Sequence, residues 1–139
     1  MRRIVPTLVI GMVMSSGLAA CGGANTEELQ REAVGCSTYF TVLNDQILSG
    51  DPAFADRVMA ALVDPAATDA DAQLETINRT LVDMAGGTDA WRAEIEPADV
   101  TALESEQSAL ARRHVAEDRS TEAAERISTC VETWERLNR

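Results

Sequence analysis

Three cysteines and one histidine are the residues of this chain that are best suited to chemistry. A thiol can act as a nucleophile, bind a metal or form a disulfide, and an imidazole can act as a general base or a metal ligand. His114 is the sole histidine. The chain therefore cannot assemble a histidine-based metal cluster, and a Cys–His dyad would need a free cysteine.

Acidic side chains are the next candidates for chemistry. Asp69 and Asp71 have the spacing of the first ligands of a calcium loop. The pattern then fails, because Gln73 is third, and Leu74 and Thr80 stand where such a loop needs glycine and glutamate. We interpret the two aspartates as acids at the start of a helix.

A second group of acids lies at Glu94, Glu96, Glu104 and Glu106. A carboxylate pair can perform general acid–base catalysis, but acids two positions apart on a helix face different sides. The chain also has no nucleophile-elbow, phosphate-loop or dinucleotide motif. The sequence predicts a protein that is not an enzyme and that uses no cofactor or metal.

The first twenty residues have the pattern of a secretory signal peptide. Arg2 and Arg3 precede an uncharged run, residues 4–20, that ends in small residues. The alternative is a retained transmembrane helix, but the run is short for a bilayer and is interrupted by Pro6 and glycines. We expect a signal peptide over residues 1–20.

Leu18-Ala19-Ala20-Cys21, directly after the apolar run, resembles the lipobox of bacterial lipoprotein precursors. The resemblance implies that the Cys21 thiol carries a diacylglyceryl group and that cleavage makes Cys21 the first residue of the mature protein. Two acyl chains hold a protein firmly on a bilayer, whereas one holds it weakly. The expected location is the outer face of the cell membrane, anchored through lipid on Cys21. The alternative is ordinary secretion, with cleavage after Ala19.

The mature chain is strongly acidic. Removing Arg2 and Arg3 with the leader leaves ten arginines against 23 acids, a net charge of −13. Such a surface repels nucleic acid and anionic headgroups, so we expect no nucleic-acid partner. The absence of lysine among twelve basic residues suggests a GC-rich genome, such as that of an actinobacterium or one of its phages.

Cys36 and Cys130 remain once Cys21 is assigned to the lipid. An even pair of cysteines outside the cytoplasm is typical of a disulfide. The alternatives are two buried free thiols or a redox pair, although a redox pair more often has the spacing C-x-x-C. We expect a Cys36–Cys130 disulfide.

The mature chain consists of segments with helical periodicity. We expect residues 21–25 to form the lipidated cysteine and a short linker, and residues 26–139 to form one all-α domain, a bundle of four to five helices. Gly and Pro residues separate the segments. We expect helices to begin at Asn25, at Asp51-Pro52, near Thr68 or Asp69, at Thr88 and at Pro97. Cys36 and Cys130 lie on the apolar stripes of the first and last helices.

The last two stripes cannot belong to one straight helix. His114 and Ala123 are nine residues apart, which places them on opposite faces of a continuous helix. We expect a break between Val115 and Thr121, with Ser120 or Thr121 as the new cap. A continuous bent helix is the alternative.

Gln107 and His114 interrupt the apolar stripe of the helix that begins at Pro97. In one interpretation they line a polar pocket or a partner-binding face. In the other, which we favour, this helix is half buried and the two residues lie at the edge of the core. Nearby, Arg112, Arg113 and Arg119 concentrate positive charge. These arginines could meet an acidic partner or a lipid headgroup, but we expect them to pair with neighbouring acids such as Glu117 and Asp118.

The body of the chain resembles small uncharacterised helical lipoproteins of actinobacteria, on the segment CSTYFTVLNDQILSGDP and the single cysteine of the last helix. The resemblance implies no activity. We expect a lipid-anchored, non-catalytic binding module with an envelope protein as partner. The alternatives are a phage or prophage lipoprotein that blocks superinfection, and a carrier of a small ligand in a pocket of roughly 300 Å³ between helices.

Overall fold

The structure is a computed structural model, which describes residues 23–139, with side chains from Thr26 onward. This part of the chain forms six helices and no strand: α1 Gly23–Ser49, α2 Pro52–Leu62, α3 Ala70–Gly87, α4 Asp89–Glu94, α5 Pro97–Ala116 and α6 Ser120–Leu137. The predicted all-α bundle is confirmed. The predicted signal peptide and Cys21 lie outside the described residues.

Prolines set the starts of two helices, as predicted. Pro52 and Pro97 occupy the first turns of α2 and α5, where the missing N–H has no intrahelical partner to lose. Asp51 stands at the N-cap of α2, but its carboxylate accepts a hydrogen bond from Nη2 of Arg57, at 3.0 Å, and makes no capping bond. The sequence therefore predicted the position of Asp51 but not its interaction with Arg57.

Thr88 stands at the predicted cap of α4 but does not act as one. Its backbone is still helical (φ −95°, ψ −5°), because α3 leads directly into α4. The hydroxyl is buried and has no hydrogen-bond partner among the described residues.

The predicted break between the last two long helices is confirmed. Asp118 adopts a left-handed conformation with φ 54°. The amides of Asp118 and Arg119 donate to the carbonyls of Val115 (3.2 Å) and His114 (2.7 Å), the two bonds of a Schellman motif. The turn is so tight that the N-cap of α6 is Arg119, one residue before the predicted caps.

Helix α1 is the centre of the bundle, since all the other helices pack against it. Three contacts between α1 and α5 show their relative direction: Arg31–Asp99, Gly35–Leu103 and Tyr39–His114. Because the residue numbers increase together in the two helices, α1 and α5 are parallel. A Cβ atom at position 35 would lie only 3.2 Å from Cδ1 of Leu103. Gly35 therefore permits the close approach of α5.

The predicted disulfide joins α1 to α6. The Cα atoms of Cys36 and Cys130 are 5.6 Å apart, and both residues are buried in the main hydrophobic core. The largest fully buried side chains of the same core include Tyr39, Phe54 and Met84. The bond covalently closes the fold across 94 positions of sequence.

Candidate functional site

A group of polar side chains lies where α1, α5 and α6 meet, buried except for Glu32, whose side chain is 40% exposed, and Arg126, whose side chain is 15% exposed. It contains Glu32, Tyr39, Gln107, His114 and Arg126, and we call it the polar cluster. Two of its members come from α1 and two from α5, each pair seven residues apart and so on one helical face. Gln107 and His114, the residues considered for a partner-binding face, are only 7% and 6% exposed.

Tyr39 and His114 form one half of the polar cluster. The Tyr39 hydroxyl and Nδ1 of His114 are joined by a hydrogen bond of 2.7 Å, with the rings edge to face. Burial lowers the pKa of His114, and the positive charge of Arg113 lowers it further. Burial also raises the pKa of Tyr39 far above its usual value. Both groups are therefore neutral at physiological pH.

Arg126, Glu32 and Gln107 form the other half of the polar cluster, with Arg126 bonded to the other two. Its Nε and Nη2 donate to the side-chain oxygen of Gln107 at 3.2 and 2.9 Å, and Nη1 donates to the Glu32 carboxylate. The guanidinium also lies 5.8 Å from the centre of the Tyr39 ring. Because the guanidinium has partners on two other helices, its partial burial is compensated.

The bonds of the polar cluster run between its own members. Such a network fixes the relative positions of α1, α5 and α6. Sequence reasoning missed Tyr39 and Arg126. Each lies one helical turn from a buried cysteine, Tyr39 after Cys36 and Arg126 before Cys130, and that spacing was the available signal.

The acids considered for chemistry lie apart from one another. Asp69 is the N-cap of α3, and its carboxylate accepts a hydrogen bond from the side-chain amide of Gln73 at 2.8 Å. Asp71 lies in the first turn of the same helix. Glu104 pairs with Arg92 at 3.1 Å. Glu94, Glu96 and Glu106 are exposed. Within residues 23–139, no three acids, cysteines or histidines converge as metal ligands would.

The arginines near the end of α5 divide into two groups. Arg119 pairs with Glu117 at 2.9 Å, as predicted. Asp118 instead pairs with Arg57 of α2, also at 2.9 Å. Arg112 and Arg113 are exposed.

Two recesses flank the start of α1. One, of about 320 Å³, is lined mostly by polar and charged side chains, including Glu27, Arg31 and Glu94, beside Trp91. The other, of about 300 Å³, lies between Glu28, Glu32 and Arg136. Polar and charged side chains form most of both linings, whereas the pockets that enclose small ligands are mostly apolar.

An apolar groove lies between α2 and α3, and we call it the α2–α3 groove. Both helices pack on α1 and α6 but have few contacts with each other. The groove has a volume of about 160 Å³ and is lined by Phe40, Leu43, Asn44 and Ile47 of α1, Ala55, Val58, Met59 and Leu62 of α2, Leu74, Ile77, Asn78 and Leu81 of α3, and Ile127 of α6. A second recess of about 220 Å³ shares Met59 and Leu74 with it.

Exposed apolar side chains concentrate at this groove. Among the described residues the large hydrophobic side chains left exposed are Leu48 (75%), Val82 (56%) and Met59 (40%). Met59 lines the groove. Leu48 and Val82 each follow a lining asparagine, Asn44 or Asn78, by one helical turn. Scattered exposed hydrophobics need no explanation, but three around one groove indicate a contact surface.

The described helices differ from membrane spans. None of those within residues 23–139 has both the length and the apolar character needed to cross a bilayer.

Comparison with known proteins gives no relative from which a role for either region can be transferred. No family model matches the chain, and no curated protein or solved structure shows significant similarity to it.

Proposed function

We propose that the protein is a lipid-anchored binding module that holds a protein partner at the outer face of the cell membrane and performs no catalysis. The observation that carries this proposal is the open α2–α3 groove, with exposed Met59 on its wall and exposed Leu48 and Val82 one helical turn beyond lining residues. The polar cluster has a different character, since its side chains are partnered inside the bundle.

The distance between the proposed anchor and the groove supports display of the groove away from the membrane. Helix α1 begins at Gly23, two positions after Cys21, so covalent geometry keeps the two residues within about 7 Å. The groove contacts α1 around Leu43, twenty residues further on, which is about 30 Å along a helix. A protein anchored at Cys21 would present the groove to the extracytoplasmic part of a partner.

The disulfide also supports a location outside the cytoplasm. Disulfides persist in oxidising compartments and are rare in reducing ones. The Cys36–Cys130 bond joins α1 to α6, the first and last of the described helices. It therefore ties the helix nearest the proposed anchor to the last described helix.

The anchor is tested by the intact mass of the protein recovered from the membrane fraction of its host. We expect the mass of residues 21–139 plus a lipid, with Cys36 and Cys130 blocked to alkylation until reduction. A Cys21→Ser variant serves as the matched control and should lose both the lipid and the membrane association. A wild-type protein of unlipidated mass in the medium would overturn the proposal.

The binding role needs a separate test in cells. A photo-crosslinking amino acid at Met59, at the groove, should trap one defined partner, whereas the same amino acid at exposed Glu132 on α6 should not. Equal trapping at both positions would contradict a specific surface. A phage lipoprotein that blocks superinfection stays the alternative, and it predicts that the trapped partner is a receptor or channel used by phage.

A further inference from the structure

We propose that the α2–α3 groove binds an amphipathic helix of the partner protein, with basic side chains along its margins. This inference rests on the proposed function and names the class of partner for the same surface. Three features of the groove lead to it: shape, apolar contacts and charge.

The shape of the groove suits a helix. Its walls are the two helices α2 and α3, and its floor is made by Phe40 and Leu43 of α1 with Ile127 of α6. The lining residues of α2 span positions 55–62, about 12 Å of helix, which is enough for two turns of a guest helix. Helices bind such grooves by placing one apolar stripe on the floor.

The apolar contacts extend beyond the floor. Met59 stands on one wall and is shared with the second recess, so the apolar surface continues over the turn between α2 and α3. Leu48 and Val82 extend it along α1 and α3. A guest with one apolar stripe would cover all three side chains, whereas a small ligand in 160 Å³ would leave Leu48 and Val82 in water.

The charge around the groove indicates the charge of the helix that binds there. Asp56 and Asp71 line the second recess, which shares Met59 and Leu74 with the groove, and Asp45 follows the lining residue Asn44 in sequence. None of these three exposed acids has an ion-pair partner in the part of the chain that the structure describes. The nearby Arg79 is paired with Glu75 at 2.7 Å. The free charges around the groove are therefore negative and favour a basic guest.

The test uses the mature lipoprotein in phosphatidylcholine nanodiscs and three synthetic 18-residue probes. The first is an amphipathic leucine–lysine helix with a photoactivatable leucine, the second has glutamate in place of lysine, and the third has the first composition in scrambled order. We expect the leucine–lysine helix to crosslink to the walls of the groove, at residues 55–62 and 74–81. The other two probes should crosslink at least tenfold less.

Variants separate the apolar contribution from the charge. Met59→Glu should reduce crosslinking by the leucine–lysine helix at least tenfold. Asp45→Asn, Asp56→Asn and Asp71→Asn together should weaken binding by roughly tenfold, since three exposed charge pairs are lost. Ala109→Glu is the control, because it adds a charge on an exposed position of α5, away from the groove. If Met59→Glu fails to fold, as judged by thermal unfolding, Val82→Glu replaces it.

The outcomes separate this inference from the proposed function. Equal binding of the glutamate probe, or crosslinks outside the walls, would overturn the basic-helix inference while leaving the anchored module intact. A dimer that Met59→Glu dissociates would mean that a second copy of the chain fills the groove, and it would overturn the inference too. Correct crosslinking by a protein whose native mass lacks lipid would instead overturn the anchor.

Discussion

Where α1, α5 and α6 meet, each polar side chain of the cluster is bonded to another helix, whereas α2 and α3 lie beside each other on α1 with an apolar gap between them. The first region is also fixed by the disulfide between α1 and α6. The two regions therefore differ in role. The polar cluster and the disulfide hold α1, α5 and α6 together, whereas the α2–α3 groove leaves apolar side chains exposed.

Removal of the disulfide should have the largest effect on the stability of the region where α1, α5 and α6 meet. Replacing both Cys36 and Cys130 with alanine should lower the free energy of unfolding by about 4 kcal/mol, since a loop of roughly 100 residues is released in the unfolded chain. Urea unfolding of the domain measures the effect, with the reduced wild type as the control. A loss below about 1 kcal/mol would mean that packing alone holds α1 to α6.

Arg126→Met tests the polar cluster itself. The change leaves the buried oxygen of Gln107 without its donor and should cost about 2 to 3 kcal/mol. Arg79→Met is the matched control, since it removes an exposed ion pair on α3 and should cost no more than about 0.5 kcal/mol. Similar losses in the two variants would remove the contrast between the regions.

Two adjacent glycines test the packing at the end of α3. A Cβ at position 87 would lie 2.5 Å from the Trp134 ring, whereas a Cβ at position 86 meets nothing within 4 Å. Gly87→Ala should therefore destabilise the protein by about 1 to 3 kcal/mol through overpacking. Gly86→Ala should leave stability unchanged or raise it by up to about 1 kcal/mol, because alanine favours a helix. Thermal unfolding of the two variants decides, and equal melting temperatures would show that Trp134 moves aside freely.

His114 should make the stability of the cluster depend on pH. Because burial lowers the pKa of His114, the unfolded chain binds this proton more readily than the folded one does, and stability rises with pH. The contribution is complete above the unfolded pKa of about 6.5 and is lost as pH falls below it, by at most about 1.4 kcal/mol per pH unit. His114→Gln, which still offers Tyr39 an acceptor, should lack this part of the slope between pH 7 and 5. An unchanged slope would mean that His114 takes up its proton without disturbing the fold.

The helix ends and the disulfide were predictable because they depend on local signals. Pro52 and Pro97 set helix starts through their missing N–H, and the two cysteines lie on apolar stripes. The interior of α1 was less predictable. This helix packs on neighbours on two sides, so Tyr39 is fully buried and Phe40 is half-buried in the groove floor.

The groove itself was beyond sequence reasoning. Met59 has an apolar side chain, yet it is 40% exposed, since α2 and α3 make few contacts with each other. Separation of two helices is a property of the whole packing arrangement. The partner of Gln107 was hidden for the same reason, because Arg126 lies on a different helix.

The position of the disulfide has a consequence for proteolysis. Within residues 23–139, every connection between helices, at residues 50–51, 63–69, 88, 95–96 and 117–119, lies between Cys36 and Cys130. Loops are the usual sites of nicking. A single cut at any of these connections would leave both fragments covalently joined, so an external protease could nick the domain without releasing either piece from the other until the bond was reduced.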